Sequence, residues 1–349
     1  MRRLARALRH HKTLRSLHLA DTTLCGIRYG QGAYAAAGVE ALARVLSDNR
    51  RLRCLSIIGN SISDASLRLI KAALEQRSVA LGASRAQLSL CGLEDEQTEA
   101  DFYQFGLSST DAMLLASELA QISDGRTSSD NVFALCHGGG GFCCSAASAA
   151  SELALSSSEV GSYEAPRPLK HHKSETPFRP PSVTALNLLR NPDISVEAAR
   201  ALVDVYADRP QLKTLCGFRE GQAAANFYDH KLRPVDGLLL AADLKFNTTL
   251  LELNLMSNGL GPLGASALAA ALECNMQLTS LDLSDNNLAE NGADLSGVET
   301  LAAALTTNWV LTRVDLRYNQ GLRTAEKVLT AAKTKRTKMA SAKPLELLL

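Results

Sequence analysis

Three strings in the second half of this chain share one pattern, and that pattern leaves few folds open. The first reads Leu250-x-x-Leu253-x-Leu255-x-x-Asn258-x-Leu260, and the second Leu278-x-x-Leu281-x-Leu283-x-x-Asn286-x-Leu288. The third reads Leu311-x-x-Val314-x-Leu316-x-x-Asn319, with Leu322 one place late. Earlier copies start at Leu52 (Leu55, Ile57, Asn60, Ile62) and Val183 (Leu186, Leu188, Asn191, Ile194). A copy at Leu14 keeps Leu17, Leu19 and Leu24 but has Thr22 in place of the asparagine. Leu250 and Leu278 are 28 residues apart, Leu278 and Leu311 33, and Leu14 and Leu52 38. Units this short cannot each enclose a core, so they must stack on one another.

Within each string the aliphatic residues alternate, which puts them on one side of a short strand. The asparagine that follows offers an amide to backbone groups left unpaired by the bend. A helical pattern comes next: Leu268 and Leu272 after Gly264, Leu301 and Leu305 after Gly297, and Leu67, Ile70 and Leu74 after Ile62. This combination resembles the ribonuclease-inhibitor-like subclass of leucine-rich repeats, the kind found in NOD-like receptor arrays and Ran GTPase-activating proteins. The resemblance covers most of residues 1–122 and 182–335. It implies an α/β solenoid shaped as a horseshoe, with a parallel sheet on the concave side and helices on the convex side. It also implies a non-catalytic scaffold that binds another protein, or alternatively an activator or regulator of a Ran-like small GTPase. The Ran activators typically carry an acidic tail, whereas this chain ends on Lys333, Lys335, Arg336, Lys338 and Lys343. Residues 336–349 read as a basic tail. Leu4, Ala5 and Leu8 followed by Leu14-x-x-Leu17-x-Leu19 read as a repeat helix and its next strand rather than as a transit peptide.

Two segments match each other without a gap, 125 positions apart. Leu90-Cys91-Gly92 pairs with Leu215-Cys216-Gly217, Gln97 with Gln222, Phe102-Tyr103 with Phe227-Tyr228, and Asp111 with Asp236. A block was duplicated, and each copy is expected to carry an additional short strand, near 99–103 and 224–228, before its helix. In the Cys-Gly pairs, cysteine is expected to fill a small buried strand position and glycine to make the turn.

Residues 123–181 break the period. Gly138–Gly141, a Ser/Ala-rich stretch from Ser145 to Ser158, and Pro166, Pro168, Pro177, Pro180 and Pro181 read as a disordered insertion. Cys136-His137 and Cys143-Cys144 lack the spacing of known structural zinc sites. The glycine run lacks the Lys-Ser/Thr of a phosphate-binding loop, and no G-x-S-x-G nucleophile motif occurs. No catalytic residue, metal site or cofactor is therefore expected. With 37 basic and 36 acidic residues and 5% aromatics, neither nucleic acid nor an acidic membrane is an expected partner. Eight scattered cysteines, read as reduced thiols, point to the cytoplasm.

Residues between the strand leucines face away from the helices and are free of packing duty. At the C-terminal end these are Glu252, Asn254, Met256, Asp282, Ser284, Arg313, Asp315, Arg317 and Tyr318, taken here as the candidate partner-binding surface. Asp282 and Asp315 suggest that it receives a basic protein surface.

Overall fold

In the computed structural model the described residues are 2–9, 11–27, 31–81, 88–94, 97–124, 182–338 and 342–349. The expected insertion, residues 123–181, lies outside them apart from the last turn of one helix. Short strands and longer helices alternate along the chain. In order they are α1 (Arg2–Arg9), β1 (Ser16–His18), α2 (Ala37–Asp48), β2 (Cys54–Ser56), α3 (Asp64–Leu81), β3 (Glu99–Asp101) and α4 (Ser109–Asp124). Then come β4 (Ala185–Asn187), α5 (Val196–Ala207), β5 (Ala224–Asn226), α6 (Pro234–Phe246), β6 (Glu252–Asn254), α7 (Gly261–Cys274) and β7 (Ser280–Asp282). The last are α8 (Ser296–Thr307), β8 (Arg313–Asp315), α9 (Glu326–Thr337) and β9 (Glu346–Leu348). Every strand pairing is parallel, and the register sets the middle leucines side by side: Leu253 on Leu281, Leu281 on Val314. Leu253, Leu281 and Leu316 are buried in one elongated core. This is an α/β solenoid of stacked strand–helix units.

The asparagines do more than close their own turns. Asn319 Nδ2 donates to Leu316 O in its own repeat and to Leu283 O in the preceding one, both at 2.9 Å, while its Oδ1 accepts from Asn286 N and Leu288 N. Asn60 and Asn191 repeat the arrangement onto Leu19 O and Phe102 O. Each amide thus stitches one unit to the next. A second ladder runs along the helix ends: Asn275 Nδ2 donates to Leu244 O and Asn308 Nδ2 to Leu272 O. Asn49 does the same for Leu8 O, and the buried arginines Arg77 and Arg209 take this place elsewhere, donating to Leu46 O and Leu119 O, while Arg336 reaches Leu311 O at the start of the third string. On the helix side, neighbours approach closely at glycine. A Cβ on Gly297 of α8 would come 2.5 Å from Pro262 O at the start of α7.

The strands do not form one continuous ladder. They fall into β1–β2, β3–β4 and the five-stranded β5–β9 sheet. Ser89 bridges to β2 and Thr214 to β4, so each interruption falls between the Leu-Cys-Gly segment and the strand that follows it. The connection explains this. Only residues 92–98 and 217–223 join the two rungs, and a parallel pair needs a crossover of about a dozen residues or more. The additional strands expected from the duplication are thus β3 and β5, each opening a new sheet. Across the insertion, β4 still pairs with β3 in register and α5 packs on α4.

One boundary is corrected. The described residues of 336–349 are not a basic tail. Arg336 is buried within α9, donating to Leu311 O, and Glu346–Leu348 form β9, which extends the sheet from β8. Leu345 fills a core position, the aliphatic contact that makes this segment a strand rather than a solvated end.

Candidate functional site

The face of the β5–β9 sheet turned away from the helices presents three outward rows. Ala224, Glu252, Ser280, Arg313 and Glu346 stand in register along one row, and Asn226, Asn254, Asp282, Asp315 and Leu348 along the next. Tyr228, Met256, Ser284 and Arg317 follow just beyond the strands. The second row has a structural duty that its sequence position conceals. Asn226, Asn254, Asp282 and Asp315 each accept, through Oδ1, the backbone N–H two residues ahead. Asp101 does the same in β3. These Asx turns end the strands, so the aspartates and asparagines are chosen by the backbone before any partner is considered.

The nine surface candidates therefore divide. Glu252, Arg313, Arg317 and Tyr318 are exposed, while Asn254, Met256 and Asp282 are half-buried. Ser284 and Asp315 are not available as expected. Ser284 is buried with its hydroxyl donating to Asp282 Oδ1 at 2.5 Å. The Asp315 side chain is 2% exposed, gripped by Arg317 through Nε at 3.0 Å and Nη2 at 2.6 Å. Burial opposes the charge on Asp315, but the Arg317 hydrogen bonds and the charges of Arg317 and Arg313 win, holding its carboxyl below the usual range. What reaches solvent here is guanidinium and phenol rather than carboxylate: Tyr318 is 71% exposed, with the Arg317 guanidinium 6.0 Å from its ring centre. The β9 strand adds Glu346, which accepts from Arg313 Nη1 at 2.8 Å.

Sequence reading alone did not find the two places where the sheet is interrupted. At the second, a cleft of about 680 Å³ is lined by Asp101, Tyr103, Asn187, Arg219, Phe227 and His230 among others. Tyr103 Oη and His230 Nδ1 lie 3.0 Å apart across it. At the first, Glu94 folds back over the sheet to His18, with Oε1 3.1 Å from His18 Nε2 and 3.0 Å from Ser16 Oγ. Among the described residues, His18, Cys54 and Glu94 are the group whose donor atoms lie close enough to share an ion. The signal in the sequence was the duplicated Leu-Cys-Gly string itself.

Both interruptions are anchored from below by a buried carboxylate. Glu118 Oε2 accepts from Leu90 N and Cys91 N at 3.1 and 3.0 Å. Asp243 accepts from Leu215 N at 2.7 Å, Cys216 N at 3.0 Å and Thr214 Oγ1 at 2.5 Å. Burial raises both carboxyls despite these donors, Asp243 to about 6. The cysteines beside them behave as small core groups. Cys91 and Cys216 are buried, which pushes both thiols well up, and Gly92 and Gly217 turn with φ of 84° and 75°. No disulfide joins any described cysteine.

Residues 246–269 and 274–295 match a family model described as Leucine Rich repeat. No curated protein matches the sequence. Among solved structures, the chain is similar to one titled "Leiomodin-1 Actin-Binding Site 2 (ABS2)", at 18% identity and a TM-score of 0.30, over 44% of this chain and 80% of that one. No described helix is long and apolar enough to cross a membrane.

Proposed function

From a solenoid of leucine-rich repeats, we propose a non-catalytic scaffold that binds a protein partner on the concave face of its five-stranded sheet. Units of 28 to 33 residues, each with a full α-helix, support our reading of the repeats as the ribonuclease-inhibitor-like subclass. One observation carries the binding reading: Tyr318 projects 71% exposed beside Arg317 on a platform whose second row is locked by Asx turns. Tyrosine and arginine are the residue types in which binding energy concentrates, and rigid support lowers the cost of ordering them. Met256, Glu252 and Arg313 extend the same surface, with Asn254 and Asp282 beneath it. Ser284 and Asp315 support this surface without touching the partner. Arg317 beside the Tyr318 ring favours a carboxylate on the partner at that point, while the exposed Asp285, which lines the same hollow as Tyr318, favours a cation next to it.

Affinity capture with the full chain tests this. The Met256→Lys/Tyr318→Ala double variant is expected to lose the specifically captured proteins, while Val328→Ser on the exposed side of α9 retains them. An identical captured set from all three proteins would remove the concave-face reading. The rival reading, regulation of a Ran-like GTPase, requires GTP hydrolysis by such a GTPase to change when this chain is added.

A further inference from the structure

We propose that His18, Cys54 and Glu94 form a binding site for a divalent ion of the zinc class at the first interruption of the sheet. The three residues come from three successive rungs: His18 from β1, Cys54 from β2, and Glu94 from the loop after the bridge at Ser89. They offer one nitrogen, one sulfur and one oxygen, the donor set a borderline-soft ion such as Zn²⁺ takes. All three donor atoms lie within 4.8 Å of one another. Ligands on a tetrahedral ion sit about 3.3–3.6 Å apart at ordinary Zn–N, Zn–O and Zn–S lengths, so small side-chain rotations bring the set into range. The sulfur forms the floor, because Cys54 is buried, while His18 and Glu94 stand exposed above it and leave the solvent side open for a fourth ligand. Ser16 Oγ lies 3.1 Å from His18 Nε2 and 3.0 Å from Glu94 Oε1, close enough to orient either ligand.

The backbone is shaped to bring Glu94 there. Gly92 turns with φ of 84°, and a Cβ on it would come 2.7 Å from Ser56 Cβ, so only glycine lets the loop lie this close on β2. The second interruption of the sheet supplies an internal control. By register, Asp101 stands where His18 does, Ala185 where Cys54 does, and Arg219 where Glu94 does. The second interruption keeps the fold devices without the donor set: its alanine offers no ligand and its arginine repels a cation. The fold alone therefore does not demand the histidine, cysteine and glutamate of the first interruption.

The test is cobalt titration of the reduced full chain, followed by near-ultraviolet absorption. Wild type is expected to show a thiolate-to-cobalt band saturating at about one equivalent and abolished by added zinc. Cys54→Ser should abolish the band, and Glu94→Gln should weaken cobalt binding about tenfold or more, the range seen even for groups that only orient a ligand. A Cys136→Ser/Cys143→Ser/Cys144→Ser variant should keep it. Glu94→Arg imitates the second copy at an exposed position, so it stays folded and should lose the band even if Cys54→Ser unfolds. The proposal is overturned by a wild type without the band, by a band that survives Cys54→Ser or Glu94→Arg, or by one that vanishes in the triple-serine variant.

Discussion

The two copies of the duplicated block separate what the solenoid requires from what each copy adds. Both have a hydroxyl at the start of the rung, Ser89 or Thr214, that accepts the N–H four residues ahead. Both have Gln97 or Gln222, whose Oε1 caps Glu94 N or Arg219 N while Nε2 donates to Glu99 O or Ala224 O. Both have a buried carboxylate on the next helix and a glycine with positive φ. All of these groups serve backbone atoms. The two interruptions part on the sheet beside them, where one has His18, Cys54 and Glu94 and the other Asp101, Ala185 and Arg219 at the same register. Within the duplicated segment the side chains that satisfy the main chain are retained, while the exposed Glu94 gives way to Arg219.

The sharpest way to break this comparison is to remove the anchors. Asp243→Ala strands Leu215 N and the Thr214 hydroxyl, leaves Cys216 N only Thr214 Oγ1, and should cost about 4 kcal/mol, at roughly 1–3 kcal/mol for each unsatisfied buried donor. Glu118→Ala should cost nearly as much; a neutral result for either, by urea denaturation, would mean that the two interruptions are not built alike. A pH series sharpens the point. Asp243 is raised from its usual 3.8 to about 6 by burial, so its contribution is fully present below about pH 4 and is lost as pH rises through about 6. Stability should fall by up to about 3 kcal/mol over that window, at about 1.4 kcal/mol per unit. Glu118, raised in the same direction, adds to the slope, and the Asp243→Asn/Glu118→Gln variant should flatten it.

Smaller effects follow from the turns. Gly92→Ala should destabilise by about 2–3 kcal/mol, combining the penalty of positive φ with the Ser56 contact. Gly217→Ala should cost about 1 kcal/mol less, because a Cβ there meets Asn187 at 3.1 Å rather than Ser56 at 2.7 Å. Least of all, Tyr318→Ala should shift stability by no more than about 0.5 kcal/mol while removing partner capture, since the ring is exposed. A large loss of stability in that variant would show that Tyr318 supports the fold instead of binding.

Much of the solenoid was legible from the leucines, because burial on one strand face imposes a period that survives in a single sequence. Asn60, Asn191, Asn286 and Asn319 were legible as turn residues, but their reach into the previous repeat was not, since a local pattern carries no information about the neighbour. The second ladder was missed for another reason. Asn49, Asn275 and Asn308 share their role with Arg77 and Arg209, and two such different side chains donating to equivalent helix-end carbonyls look unrelated in one dimension. At the surface, alternation says that Asp315 points outward, yet not that Arg317 lies across it. The His18, Cys54 and Glu94 cluster was invisible because its members meet only through stacking, at separations of 36 and 40 residues.

The register of β3 on β4 has a consequence for the covalent chain. Glu99 and Ala185 stand side by side although they are 86 positions apart in the chain, so the parts of the solenoid before and after this seam meet through strand and helix contacts. Cutting the chain between residues 124 and 182 is expected to leave the two parts associated, and their co-elution in gel filtration would show it.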